Sequence, residues 1–279
     1  ALKDLSFSIP QGEIFGFLGP NGSGKTTTVR LLNGILSPSS GNAHILGRDI
    51  GTGQKDIHSL CGVMTETASS YENLTGLENL KFFGRMHRLS DGEIAKRSDS
   101  LLKSLNLYDA RNKKVKTYST GMKKRISLAR ALLHNPKILF LDEPTSGLDP
   151  EASINVTMMV RDLCKEQGVT VFLCTHQLKY AEDICTLYGF INEGKLLGFG
   201  SFAELLRKKG GKTYLDIRGK NINELKGGKR LDEDRFRVEI ENDEDASRIL
   251  SGILSSGGKL YEAKQTQWSL EDLYFSYQK

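Results

Sequence analysis

The sequence has no apolar run approaching the roughly 18–20 residues that a membrane-crossing helix needs, so no spanning segment is expected within it. No secretory leader is visible either. Cysteine is scarce: Cys61, Cys164, Cys174 and Cys185 form no C-x-x-C pair, and no nearby histidine completes a zinc pattern. Buried, reduced thiols are expected instead. A strong charge of one sign is also missing. With 39 basic against 34 acidic residues the net charge is only +5, which suits a handler of polyanionic nucleotides, a neighbour of an anionic membrane face, or an ordinary solvated surface. Nothing calls for a nucleic-acid partner. What is present, 279 residues that are 38% hydrophobic and 26% charged, suffices for one large domain and a small one.

Along the chain, residues 1–18 read as two strands around a turn at Pro10-Gln11-Gly12. In the first, Leu5, Phe7 and Ile9 alternate with polar residues; the second, Ile14–Leu18, is apolar throughout, as in a sheet covered on both faces. Because Ala1 falls inside the first of these, a preceding segment is expected. A Gly-rich turn and a helix from Lys25 to about Asn33 come next, then short strands and turns over 42–65. From Thr75 to about Leu107 the period is helical, with capping boxes at Thr75-x-x-Glu78 and Ser90-x-x-Glu93. The apolar runs 138–141 and 169–174 flank a helix over roughly 151–167. That is a βαβ unit and implies a largely parallel sheet. After a break at 208–212, amphipathic strands at 213–217 and 236–240, a helix through Ala246–Leu254, a strand near Leu260–Ala263 and a helix capped by Ser269 predict a small α+β appendage. The domains are therefore expected at 1–211, with a helical insert over about 67–120, and at 212–279.

Two chemical features stand out. Gly19-Pro20-Asn21-Gly22-Ser23-Gly24-Lys25-Thr26-Thr27 matches G-x-x-x-x-G-K-[ST], with an apolar strand before it and a helix after. Glycines let a loop adopt positive φ and approach phosphate oxygens without a Cβ, and the helix N-terminus adds partial positive charge. Lys25 is then placed to reach the β- and γ-phosphates, Thr26 to ligate Mg²⁺ and Thr27 to meet the α-phosphate. Downstream, the strand Ile138–Leu141 ends in Asp142-Glu143, at the strand edge where open α/β sheets bind ligands. Asp142 is read as holding Mg²⁺ through its water shell, and Glu143 as the general base that orients the attacking water. His176 comes directly after the next apolar strand and is expected at the same edge, against the γ-phosphate.

In this order the pieces resemble one family. Tyr118-Ser119-Thr120-Gly121-Met122, standing before a helix, is similar to the L-S-G-G-Q signature of ABC ATPases. Glu143–Pro150 resembles that family's strand end and D-loop, and Thr175-His176 its switch histidine. The resemblance runs from Ala1 to about Leu206. It implies an α/β, P-loop NTPase core of ABC type with an antiparallel β subdomain and a helical insert, followed by the C-terminal α+β domain. It also implies ATP and Mg²⁺ as ligands and a head-to-tail homodimer. Each nucleotide would lie between one chain's residues 21–27 and the other's Ser119 and Gly121, with Asp149 crossing the interface. An integral-membrane permease is the implied second partner, and the cytoplasmic face of the cell membrane the implied location. The spelling Tyr-Ser-Thr-Gly-Met-Lys-Lys-Arg resembles export-type systems with separate membrane chains.

Departures from the family pattern are specific. Tyr118, Thr120 and Met122 stand where Leu, Gly and Gln are commonest. Glu66 stands where the family's metal-binding glutamine is expected, and it puts a further negative charge near the γ-phosphate. The adenine-stacking aromatic residue would precede Ala1. Residues 66–80 are expected to dock the permease. Two alternatives remain: a soluble ABC ATPase acting on a macromolecular complex, which the absence of sustained heptads and of a second cassette disfavours, and a binding-only cassette, which Glu143 and His176 disfavour and Glu66 favours.

Overall fold

The computed structural model describes residues 2–65, 70–222, 228–266 and 268–278. The chain divides into two compact units, Ala1–Ser201 and Phe202–Lys279. In the first, β1 (Ile14–Leu18) leads to α1 (Lys25–Leu32), the hairpin β2 (His44–Ile45) and β3 (Arg48–Asp49), α2 (Gln54–Leu60) and β4 (Cys61–Met64). The helical insert carries α3 (Gly76–Met86) and α4 (Asp91–Ser104). After it, α5 (Thr120–Leu132) returns the chain to β5 (Ile138–Asp142). The unit is completed by α6 (Pro150–Gln167), β6 (Thr170–Thr175), α7 (Leu178–Ile184), β7 (Leu187–Asn192) and β8 (Lys195–Gly200). The main sheet has the order β4-β5-β6-β1-β7-β8, parallel except for the last pair.

The unbroken apolar strands are explained by what covers them. Phe15, Phe17, Phe140 and Phe172 point to one face, while Ile14, Leu139, Leu141, Val171 and Leu173 point to the other, where α5 and α6 pack. On the aromatic face the Phe172 ring lies 5.1 Å from Phe15, 5.4 Å from Phe17 and 5.5 Å from Phe140 by centroid. Phe172→Ala leaves a void among these rings and is expected to lower unfolding free energy by about 3–5 kcal/mol, read from urea denaturation.

Residues 2–9 differ from expectation. Leu5, Phe7 and Ile9 are turned inward against the aromatic face, with Phe7 and Phe15 stacked at 5.5 Å, and Ser6 and Ser8 are exposed. The alternation is real, yet this stretch forms no strand among the described residues. It packs against side chains on the sheet's face, where a period of two satisfies burial without a backbone ladder. The short helix α2 was also not expected. Its apolar contribution is only Ile57 and Leu60, too few for a legible period beside Gly47, Gly51 and Gly53. The expected antiparallel subdomain is, among the described residues, the two-stranded β2–β3 hairpin.

Both capping boxes are present. Thr75 Oγ1 accepts from Glu78 N at 3.1 Å while Glu78 Oε2 accepts from Thr75 N at 2.7 Å, and Ser90 and Glu93 repeat the exchange at 3.3 and 3.0 Å. Where α3 meets the end of α5, the rings of His87 and His134 stack in parallel at 3.8 Å. His134 Nε2 donates to the Cys61 carbonyl at 3.1 Å. Burial, and then the His87 beside it, hold the His134 pKa down to about 4 against 6.5 when unfolded. Burial and His58 lower His87 too. Between those values the unfolded chain binds more protons, so stability is full above pH 6.5 and is lost as pH falls toward 4. His134→Gln should flatten that part of the stability–pH curve measured by denaturant titration.

In the second unit, α8 (Phe202–Lys208) precedes β9 (Thr213–Lys220), β10 (Gly228–Arg230), β11 (Arg235–Ile240), α9 (Asp243–Ser255), β12 (Lys259–Thr266) and α10 (Leu270–Gln278). The antiparallel sheet runs β10-β11-β9-β12. Its apolar face, Leu215, Ile217, Phe236, Val238 and Ile240, is closed by Ala246 and Ile253 of α9. Asp216 and Arg237 pair through two bonds at 2.6 and 2.8 Å. Ser269 caps α10 through Asp272 N at 3.1 Å. The unit begins before α8 rather than after it, since Tyr277 of α10 donates to the Leu205 carbonyl at 3.2 Å and Lys209 to that of Ser276 at 2.8 Å.

Candidate nucleotide site

Strand register assembles the site. Leu18 at the end of β1 pairs with Thr175 at the end of β6, and Asp142 at the end of β5 pairs with Cys174. Three adjacent strands therefore open on one edge.

The loop after β1 is built for an anion. Gly22 and Gly24 have φ of +81° and +113°, and Gly24 starts α1 without any side-chain cap. By contrast α3, α4, α5 and α6 are capped by Thr75, Ser90, Ser119 and Asp149. The first-turn amides of α1, from Lys25, Thr26 and Thr27, are thus left for a ligand. Lys25 is buried and its Nζ donates to the carbonyls of Gly19 at 2.6 Å and Pro20 at 3.0 Å, which leaves its third N–H for a phosphate oxygen. Ser23 Oγ is buried with no partner, an orphan that an oxyanion would satisfy. Asn21 is exposed at the loop tip and Thr27 half-buried.

Thr26 Oγ1 donates to Asp142 Oδ2 at 3.2 Å. A hydroxyl beside a carboxylate is an all-oxygen set, and among the described residues no cluster of three His, Cys, Asp or Glu could hold a metal alone. Two protein oxygens beside a polyphosphate cradle fit Mg²⁺, which keeps waters and takes its remaining ligands from phosphate.

Glu143 is held from several sides at this edge. It is 5% exposed, and its Oε2 accepts from Thr175 Oγ1 at 2.9 Å. Its Oε1 accepts from the backbone N–H of His176 at 2.8 Å and lies 2.6 Å from His176 Nδ1. A carboxylate only accepts, so Nδ1 carries the proton. The expected residues Thr26, Asp142, Glu143 and His176 are thus brought together. Thr175, which both orients Glu143 and accepts from Gln177 N at 3.0 Å, was missed as a site residue. Its signal was its place as the last residue of a buried strand, where a polar side chain needs a partner.

Ser119 and Gly121 form a separate surface. Ser119 caps α5, its Oγ accepting from Met122 N at 3.2 Å and keeping its own proton to donate. A Cβ on Gly121 would lie 3.4 Å from Leu148 Cδ2, so this turn packs against residues 147–148. Tyr118 points away into the insert, where its hydroxyl donates to the Ala110 carbonyl at 2.8 Å, which is how a tyrosine is accommodated here. Asp149 is exposed, and its Oδ1 caps α6 by accepting from Ala152 N at 2.8 Å. Glu66 lies outside the described residues. No helix among the described residues is long and apolar enough to cross a membrane.

Comparison with known proteins identifies the family. Residues 2–146 match the family described as "ABC transporter". The linearmycin resistance ATP-binding protein LnrL of Bacillus subtilis is 36% identical over 223 residues, covering 80% of this chain and 71% of that protein. ABC transporter A family member 8 of Arabidopsis thaliana is 33% identical over 96% of this chain, which spans only 28% of that much longer relative. Among solved structures, a dimeric ATP-binding cassette in a post-hydrolysis state with ADP and Pi superposes with a TM-score of 0.66 at 26% identity, covering 72% of this chain and 90% of that one. Loop, carboxylates, signature turn and relatives agree, and the chain belongs to the ABC transporter family as an ATP-binding, ATP-hydrolysing domain.

Proposed function

We propose that this domain powers export through a separate transmembrane chain, working as a homodimer on the cytoplasmic face of the membrane with ATP and Mg²⁺. One observation carries the ATPase part: Thr26, Asp142, Glu143 and His176 meet at one sheet edge beside an uncapped phosphate loop. The loop amides and Lys25 hold the triphosphate, and Thr26 and Asp142 hold Mg²⁺. When bound, that ion neutralises charge on the phosphate oxygens. Glu143, its carboxylate fixed by Thr175 and His176, takes the proton of the attacking water.

The dimer is inferred from Ser119 and Gly121, which offer an anion site apart from the chain's own loop. Two chains stacked head to tail would join each loop to the other's signature turn, with Asp149 at the interface. Hydrolysis then releases a closed state that ATP favours. Export is supported by the signature spelling and by LnrL, a protein named for resistance. Residues 66–80 are assigned to permease docking.

Adding Ser119→Arg to a hydrolysis-deficient Glu143→Gln chain tests the arrangement. The double variant should bind ATP yet run as a monomer on a sizing column, where the single variant dimerises. A dimer in both would overturn the head-to-tail reading. Co-expression with a candidate multi-span membrane chain tests the transporter part: cysteines placed over 70–80 should crosslink to it, and unchanged transport after charge reversal across that segment would count against docking there.

A further inference from the structure

The burial pattern of α5 contains an anomaly. Lys124 lies on the same face as Ser127, Leu128 and Ala131, at i, i+3, i+4 and i+7, and all of them are buried. A lysine on an inward face must find an acceptor, because an unpaired buried ammonium is too costly to keep. It finds one in the catalytic machinery: Lys124 Nζ donates to the backbone carbonyl of Glu143 at 2.8 Å. Lys124 is 7% exposed and Glu143 5%, so the bond is shielded from water.

That carbonyl matters because of the backbone around it. Glu143 has a φ of +49° and precedes Pro144. A residue with a Cβ is strained in the left-handed region, and a residue before proline ordinarily adopts extended backbone. Such a conformation persists only where its surroundings over-determine it. Here the Glu143 N–H donates to the Cys174 carbonyl at 2.9 Å, and the Glu143 carbonyl accepts from Lys124 and, at 3.3 Å, from Ser146 N. With the peptide groups pinned on both sides, the side chain is turned to Thr175 and His176.

We propose that Lys124 is a positioning residue for ATP hydrolysis, holding the strained Glu143 backbone so that its carboxylate faces the γ-phosphate edge. This rests on Glu143 acting as the base. It gives α5 a double duty: its N-terminal end carries the Ser119 cap and Gly121, and its second turn carries the lysine that sets the base of the chain's own site. Both lie on one rigid helix, roughly 1.5 Å of rise per residue apart, so the pose of α5 and that of Glu143 are linked.

The test uses the full chain and steady-state ATP hydrolysis. Lys124→Met fills the same volume without the donor. It should lower kcat by about 10²-fold while KM for ATP changes by less than about threefold. Lys124→Arg, which keeps a charged donor of similar reach, should recover most of the loss. In a Glu143→Gln background, measured over long incubations, Lys124→Met should change the residual rate by less than about twofold, because both act through one group. A parent-like kcat for Lys124→Met, or the same fold-loss in both backgrounds, would overturn the proposal. Should Lys124→Met fail to fold, Lys124→Gln, which shortens the reach, is read by the same kcat-against-KM split. A Glu143→Gln chain that hydrolyses at the parent rate would instead remove the base assignment itself. An inactive Glu143→Gln beside an active Lys124→Met would overturn only the role of Lys124.

Discussion

Glu143→Gln is expected to reduce steady-state hydrolysis by about 10²–10⁴-fold, the scale of a lost general base, while ATP is still bound. The substitution is nearly isosteric, and the contacts show why it should be structurally silent. The amide oxygen can keep the two donors from His176, at 2.8 and 2.6 Å, and the amide nitrogen then faces Thr175 Oγ1. A hydroxyl can accept as readily as donate, so that pair survives with its direction reversed. What is lost is the lone pair proposed to take water's proton. Bound ATP is then not consumed, and the closed dimer accumulates. The chain incubated with ATP and Mg²⁺ should elute at twice its monomer mass and return to monomer when nucleotide is removed. Monomer throughout would sink the two-site reading, and hydrolysis at the parent rate would sink the role of Glu143.

Gly19→Ala should be nearly as damaging by a different route. A Cβ there would sit 2.3 Å from the Ile191 carbonyl oxygen, 2.7 Å from Ser23 Oγ and 2.8 Å from Ile191 Cγ2. The first contact is to the backbone of β7, held between β1 and β8, so it cannot swing aside as a flexible side chain would. The loop must move, and with it the amides and Lys25 proposed to cradle phosphate. ATP affinity should fall by about 10²-fold or more, as misplacement of about an ångström does. Overpacking should cost about 1–3 kcal/mol of stability. Nucleotide titration and urea denaturation separate the two effects. Gly92→Ala, in the second position of α4 with open space around it, is the control and should leave both unchanged or slightly stabilise the helix.

Much of this site could be read from residue order because its parts are local. A phosphate loop needs its glycines and lysine within a few residues, and Asp142-Glu143 needs only the end of an apolar strand. Capping boxes span four residues, and both were legible. The parts that escaped depend on groups distant in the chain. Lys124 and Glu143 are 19 residues apart, Thr175 and Glu143 32. Neither pairing leaves a local pattern beyond a polar residue in an apolar setting. Residues 2–9 show the converse: their alternation reports which side chains are turned inward but says nothing of whether a backbone neighbour is available. The break at 208–212 was visible as composition, yet α8, just before it, belongs to the second unit because its packing partner is at the far end of the chain.

The order β4-β5-β6-β1-β7-β8 has a last consequence. Thr26, Asp142, Glu143 and His176 hang from β1, β5 and β6, each hydrogen-bonded to a strand on both sides. The two strands with an open side, β4 and β8, carry none of these four. Fraying begins at open sides, so it reaches these four residues only after the centre of the sheet has come apart. The first unit is accordingly expected to have no half-melted form that keeps the loop after β1 and loses Glu143. On warming, catalysis and the fold of that unit should fail at one temperature, as a single cooperative event.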